Sequence, residues 1–130
     1  MNELQTPTAE RPELVIELFA ELLGEGRVEE ALALYEENAA FMAEPGTLVA
    51  GRERIREALE RFAALRPVLT GTIEKVVTAG DTALVVNAWT LEGTGPDGEP
   101  ISMAARSSDV LRRRPNGDWG ILIDDPWGGG

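Results

Sequence analysis

The chain has no cysteine and no histidine among its 130 residues, and it carries a single tyrosine. Without cysteine, disulfide frameworks, thiolate nucleophiles and thiolate metal sites are excluded. Without histidine, Ser-His-Asp triads, imidazole-bound zinc and the usual near-neutral proton shuttle are excluded as well. The only lysine, Lys75, falls in a β-branched stretch, an unpromising setting for Schiff-base chemistry. Any catalysis therefore rests on Asp, Glu, Tyr35, arginine or backbone donors, without metal or cofactor.

Long apolar runs are also missing. Nothing approaches the roughly 18 residues needed to span a bilayer. The first twenty residues lack the basic segment and apolar run of a signal peptide, so a cytoplasmic protein with no membrane partner is expected. Positive charge is scarce: Lys and Arg total 12 against 23 acids, a formal charge of −11. Such a chain repels phosphate backbones, which disfavours nucleic acid as a partner. The run Arg112-Arg113-Arg114 reads as the dressing of a strand end before a turn rather than an anion site. Hydrophobic content of 43% and charged content of 27% fit one globular domain with its own core.

The pattern along the chain divides it clearly. Residues 1–10 are polar and read as a loose N-terminal segment, residues 11–128 as one domain, and residues 129–130 as a tail. Pro12 suits a first helical turn, and Leu14, Val15, Leu18, Phe19, Leu22 and Leu23 recur at helical spacing until Gly24 and Gly26. A shorter second helix has Val28, Ala31, Leu32 and Tyr35 on one face. Residues 38–43 read as a short strand, Glu44-Pro45-Gly46 as a turn and Leu48-Val49 as extended chain. A third helix spans residues 52–66 with Ile55, Ala58, Leu59, Phe62 and Leu65 as its stripe, stopped by Pro67.

Beyond Pro67 the period changes to two. Strands are predicted over 68–79, 82–93, 100–114 and 119–123, punctuated by Gly80-Asp81, Gly95-Pro96-Asp97-Gly98 and Pro115-Asn116-Gly117-Asp118. Helices gathered on one face of a curved antiparallel sheet make an α+β domain, a cone closing over an apolar pocket.

Particular residues strengthen this. Leu22-Leu23-Gly24-Glu25-Gly26, the stretch Ala31 to Ala39, Gly51-Arg52-Glu53-Arg54-Ile55-Arg56, Ala79-Gly80-Asp81-Thr82, and Asp109-Val110-Leu111 followed by Asn116-Gly117-Asp118-Trp119 and Asp124-Asp125-Pro126-Trp127-Gly128 stand in order. In that order and spacing the chain resembles the nuclear-transport-factor-2-like superfamily, with its cystatin-like cone. More closely it is similar to SnoaL-like and ketosteroid-isomerase-like bacterial proteins, over residues 12–128. The scaffold hosts isomerases, cyclases, hydrolases, dehydratases and members with no known reaction, so it does not fix an activity.

In a steroid isomerase of this superfamily a carboxylate base precedes a proline after the first strand. A neutral aspartic acid and a tyrosine donate hydrogen bonds to the enolate. The resemblance places the base at Glu44, before Pro45, and the neutral acid at Asp109. The tyrosine position of helix 1 falls at Phe19, which has no donor.

The residues themselves give Asp109 a face shared with Met103, Ala105, Ser107 and Leu111, which should line the cone. A carboxyl there is desolvated and its pKa raised. The opposite alternation, or pairing with Arg106 or Arg112, is the other reading. Asp124 and Asp125 point to opposite faces, so one of them can enter the pocket; Asp124 either does so or braces the strand end against Arg106. Phe19, Tyr35, Met42, Phe62, Trp89, Met103 and Trp119 supply the large apolar surface of core or pocket wall. Tyr35 either ends helix 2 with its hydroxyl at the surface or donates into the cavity.

Two functions follow. One is a cofactor-free enzyme of isomerase, cyclase or hydrolase type, binding a small hydrophobic carbonyl- or epoxide-bearing molecule and moving protons with Glu44 and Asp109. The alternative is a non-catalytic dimeric domain for small-ligand binding or assembly. A homodimer is expected in both, because the convex sheet face, with Val110, Ala104, Ala88 and Thr90, lacks a covering helix.

Overall fold

The computed structural model describes residues 11–128; the loose segment expected over 1–10 and the tail at 129–130 lie outside the described residues. Helix α1 (Pro12–Gly24) starts with Pro12 at its first position, where a missing N–H costs nothing. It ends in a Schellman arrangement: Gly26 takes φ 77°, its N–H donates to the Leu23 carbonyl, and Arg27 N–H donates to the Leu22 carbonyl. Val15, Ile16, Leu22 and Leu23 are buried along it. Helix α2 (Val28–Leu32) is a single short turn and a half. Helix α3 (Arg52–Ala63) buries Ile55, Ala58 and Leu59 at helical spacing. Full burial of Ile55 and Leu59 contributes about 1.5–3 kcal/mol each.

Six strands form one sheet: β1 (Tyr35–Glu44), β2 (Thr47–Ala50), β3 (Val68–Ala79), β4 (Thr82–Thr94), β5 (Pro100–Arg113) and β6 (Trp119–Asp125), in spatial order β2-β1-β6-β5-β4-β3. The helices pack on one face of it and share a core with Tyr35, Phe41, Val85, Leu111, Trp119 and Ile121. Burial alternates along β4 and β5, as a sheet covered on one side requires. No described helix is long and apolar enough to cross a membrane.

Two elements depart from the sequence reading. The sheet is mixed: β1 runs parallel to β6, with Tyr35 opposite Ile121 and Phe41 opposite Asp124. Helix α2 stops at Leu32, and Tyr35 opens a ten-residue strand rather than closing the helix. Apolar spacing at 28, 31, 32 and 35 suits a helix equally well, and the pairing with β6 decides the matter by burying Tyr35 completely.

Bulges bend the sheet. On β6, Val110 pairs with Ile123 but Leu111 pairs with Ile121, so Leu122 is an extra residue. A bulge shifts alternation by one position beyond it. Trp119 and Ile121 point inward, and after Leu122 it is Asp124 that points inward. Without the extra residue, Asp125 would have taken that place.

Candidate functional site

Between the concave face of the sheet and helices α1 and α3 lies a hollow with about 90 Å³ open to the centres of water-sized molecules. At roughly 10–15 Å³ per water it holds several of them, so the interior is not filled by its own side chains. Ile16, Phe19, Leu59 and Phe62 make the helical wall. The sheet contributes Trp89 and Leu91, and also five polar residues: Thr70, Asn87, Ser107, Asp109 and Asp124.

The register explains how these polar groups meet. Asp109 on β5 is the direct cross-strand partner of Asp124 on β6, and Ser107 is the partner of Asn87 on β4. Asp109 is 3% exposed and Asp124 6%. Asp109 Oδ1 accepts the Asp125 backbone N–H at 3.1 Å. Behind the pair, Tyr35 is fully buried and its hydroxyl donates to Asp124 Oδ2 at 2.5 Å.

Two carboxyls so placed cannot both ionise freely. Burial pushes the Asp109 carboxyl well above its ordinary range, and the neighbouring Asp124 charge and hydrogen bond push it further. Burial also raises Asp124, but the hydrogen bonds from Asp109 and Tyr35 pull it back down. The arrangement is a neutral acid at 109 donating to a carboxylate at 124. The Tyr35 phenol is raised well above its usual value, by burial and then by Asp124, and stays protonated as a donor.

The frame around Tyr35 is firm. Its backbone carbonyl accepts from Arg52 at 3.0 Å and from Arg114 at 3.1 Å. Arg114 also pairs with Glu36 at 2.8 Å. Gly120 leaves room for that pair, since a Cβ there would stand 2.4 Å from Glu36 Oε2. The arginine run is thus absorbed internally: Arg112 faces Glu36, and Arg113 covers the Trp119 ring at 5.0 Å. Arg106 meets Glu74 at 2.7 Å, so Arg106 braces neither aspartate.

The remaining candidates separate into groups. Phe19, Phe62, Trp89, Asp109 and Asp124 line the cavity together. Phe19 meets Tyr35 edge-on at 5.8 Å, so the phenol absent from α1 is supplied from β1, one layer behind Asp124. Trp119 is core. Met103 shares the inward parity of β5, but neither it nor Met42 lines the hollow. The Met42 carbonyl accepts the Trp127 indole N–H at 3.0 Å. Glu44 is exposed and belongs to a different pocket, with Ala58 and Arg61, to which Phe62 is the shared wall.

The terminal Asp-Asp-Pro-Trp motif closes one side. Trp89 donates its indole N–H to the Pro126 carbonyl at 2.8 Å, and its ring meets Trp127 edge-on at 5.4 Å. Pro126 is thereby held against the cavity. Ser107 lies on the Asp109 face as alternation implied, but Asn87 was not singled out by sequence, because a polar residue in a strand ordinarily marks the solvent face.

A family model for the SnoaL-like domain matches residues 15–119. Among solved structures, a Streptomyces avermitilis protein of the NTF2-like family, provisionally called a dehydratase, is similar with a TM-score of 0.78 and 19% identity, covering 89% of this chain and 92% of that one. A Xanthomonas campestris protein, provisionally called a calcium/calmodulin-dependent protein kinase II association domain, gives a TM-score of 0.73 at 21% identity, covering 91% of each chain. A ketosteroid isomerase-like protein from Erwinia carotovora atroseptica gives 0.72 at 19% identity, covering 86% of this chain and 88% of that one. At such identities the likeness is one of fold. No curated protein matches the chain.

Proposed function

This chain belongs to the SnoaL-like domain family, and from that premise we propose that it binds a small hydrophobic carbonyl compound in the cavity and moves protons without a cofactor. The observation that carries the reading is the buried Asp109–Asp124 pair set into a hollow whose wall is mostly apolar. Desolvated, coupled carboxyls cost stability and are concentrated where chemistry needs them.

The division of labour follows from the hydrogen bonds. Asp124, the carboxylate, takes a proton from the carbon beside the carbonyl. Asp109, the neutral acid, gives its proton to the carbonyl oxygen as the enol forms. The pair regains its starting state when Asp124 returns its proton to a different carbon or to the same one and the enol hydroxyl returns its own to Asp109. Tyr35 does not reach the cavity; it positions Asp124 and tempers its basicity. Positioned proton transfer of this kind contributes about 10² to 10⁴ in rate. The base is assigned here to Asp124 rather than Glu44, since Glu44 lines a different pocket.

A direct test is deuterium uptake at the α-carbons of a two-ring ketone, 2-tetralone, in heavy water. Wild-type protein accelerates uptake and Asp124→Asn does not. Binding without any acceleration supports the non-catalytic ligand-binding domain instead.

We further propose a homodimer built on the convex face. There Val77, Leu84, Val110 and Ile123 stand in register across four strands, forming one apolar row. Val77 and Ile123 remain 51% and 43% exposed in the single chain. A second copy would cover that row.

A further inference from the structure

Asn87 lies at the centre of the concave face and is 9% exposed. It lines the cavity, and no hydrogen bond to its side-chain amide comes from the described residues. Its backbone carbonyl is engaged by the Ser107 hydroxyl at 3.3 Å, which fixes the strand pair beneath it but leaves the amide unused. The amide opens onto the cavity without a protein partner, so its hydrogen bonds fall to water or to a ligand there, and an apolar side chain of the same shape would need neither.

The neighbouring strand is shaped around this amide. A Cβ at Gly71 would stand 2.8 Å from Asn87 Oδ1 and 3.1 Å from Nδ2. Gly71 also lines the cavity. Any larger residue would push the amide out of its seat. A buried polar group, open to a cavity and given its own notch in the adjoining strand, is built to meet something in that cavity.

Its distance from the acid pair has a consequence for the ligand. Asn87 pairs with Ser107, and Asp109 is two residues along β5, so Asn87 and Asp109 are diagonal neighbours roughly 7–8 Å apart at their backbones. At that backbone separation a ligand can meet the two sites with two different oxygens. We propose that the Asn87 amide, seated over Gly71, is a second polar subsite, and that the ligand is an apolar ring system with two oxygen functions, one at the Asp109–Asp124 pair and the other at Asn87. The subsite rests on the reading of the hollow as a ligand site. It adds orientation: an amide offers both a donor and an acceptor, so it recognises a hydroxyl in either sense and fixes which carbon faces Asp124.

The test uses the full chain and two ketones that differ by one group, 2-tetralone and 6-hydroxy-2-tetralone, titrated against wild type, Asn87→Leu and Gly71→Ala. Wild type is expected to bind the hydroxyketone about two- to tenfold more tightly, the worth of one neutral hydrogen bond. Asn87→Leu should lose this preference, binding the hydroxyketone no more tightly than 2-tetralone. Gly71→Ala should lose the same preference while retaining the amide.

Equal binding of the two ketones by wild type, or a preference that survives in Asn87→Leu, overturns the subsite and leaves the ligand reading standing. Saturation by neither ketone removes the ligand reading and the subsite with it. A ligand-free measurement adds a second check: Asn87→Leu should melt at or above the wild-type temperature. A marked fall would show that the amide has a structural partner, and would overturn the proposal.

Discussion

Asp109 and Asp124 face each other across adjacent strands, and their unequal partners favour the shared proton on 109. The preference is set by their surroundings. Asp124 accepts from the Tyr35 hydroxyl, which favours its charged form, whereas at Asp109 burial and the neighbouring Asp124 charge outweigh the Asp125 N–H that it accepts and favour its neutral form.

A pH dependence of stability follows. The folded chain holds a proton on Asp109 at pH values where the unfolded chain, with an ordinary carboxyl near 3.9, has released it. The contribution is therefore complete below that ordinary value and is lost as pH rises through the folded one. Asp109→Asn imitates the neutral acid, its Oδ1 accepting from Asp125 and its amide donating to Asp124. Denaturant melts between pH 5 and 8 should show wild-type stability falling with pH and a flatter line for Asp109→Asn. At pH 8 the variant should melt higher, by about 4 °C for each kcal/mol recovered.

Tyr35→Phe removes the phenol but keeps the ring against Phe19 and Phe41. The loss of a buried donor costs about 1–3 kcal/mol. Asp124 also loses a hydrogen bond that lowers its pKa, so that pKa should climb. The acid limb of the deuterium-uptake profile moves to higher pH as a result.

Gly120→Ala should destabilise by about 1–3 kcal/mol, because its Cβ would intrude on both Glu36 and Arg114. Arg114 is one of the groups holding the Tyr35 carbonyl. A double-mutant cycle with Arg114→Met should therefore be non-additive, which separate effects would not give.

Glu44→Gln tests the position of the base. An exposed carboxylate in another pocket has no part in the exchange, so uptake should match wild type. A collapse of the rate would return the base to residue 44.

Ile123→Glu places a charge in the convex apolar row while leaving the cavity untouched. Sedimentation should show wild type as a dimer at micromolar concentration and the variant as a monomer.

Much of this was legible in the chain. The stripe of α1, the stripe of α3 and the period-two run after Pro67 each had one sensible reading, and Asp109 faces inward as its alternation implied. Tyr35 was misplaced because spacing alone does not distinguish the end of a short helix from the start of a strand buried by a partner almost ninety residues away. Asp124 was named as a candidate, but alternation alone gave no ground for preferring it to Asp125, since one extra residue at Leu122 reverses the alternation and pairing geometry has no local signature. Asn87 went unnoticed for a simpler reason: its meaning depends on a glycine in the next strand.

The parallel seam between β1 and β6 has a temporal consequence. The phenol arrives from position 35 and its carboxylate acceptor from position 124, so a chain emerging from the ribosome holds an incomplete triad until its last strand has been synthesised and has slotted between its neighbours. Long-range closures of this kind are slow relative to local ones. Nascent intermediates therefore leave the acid pair unassembled until that strand is in place.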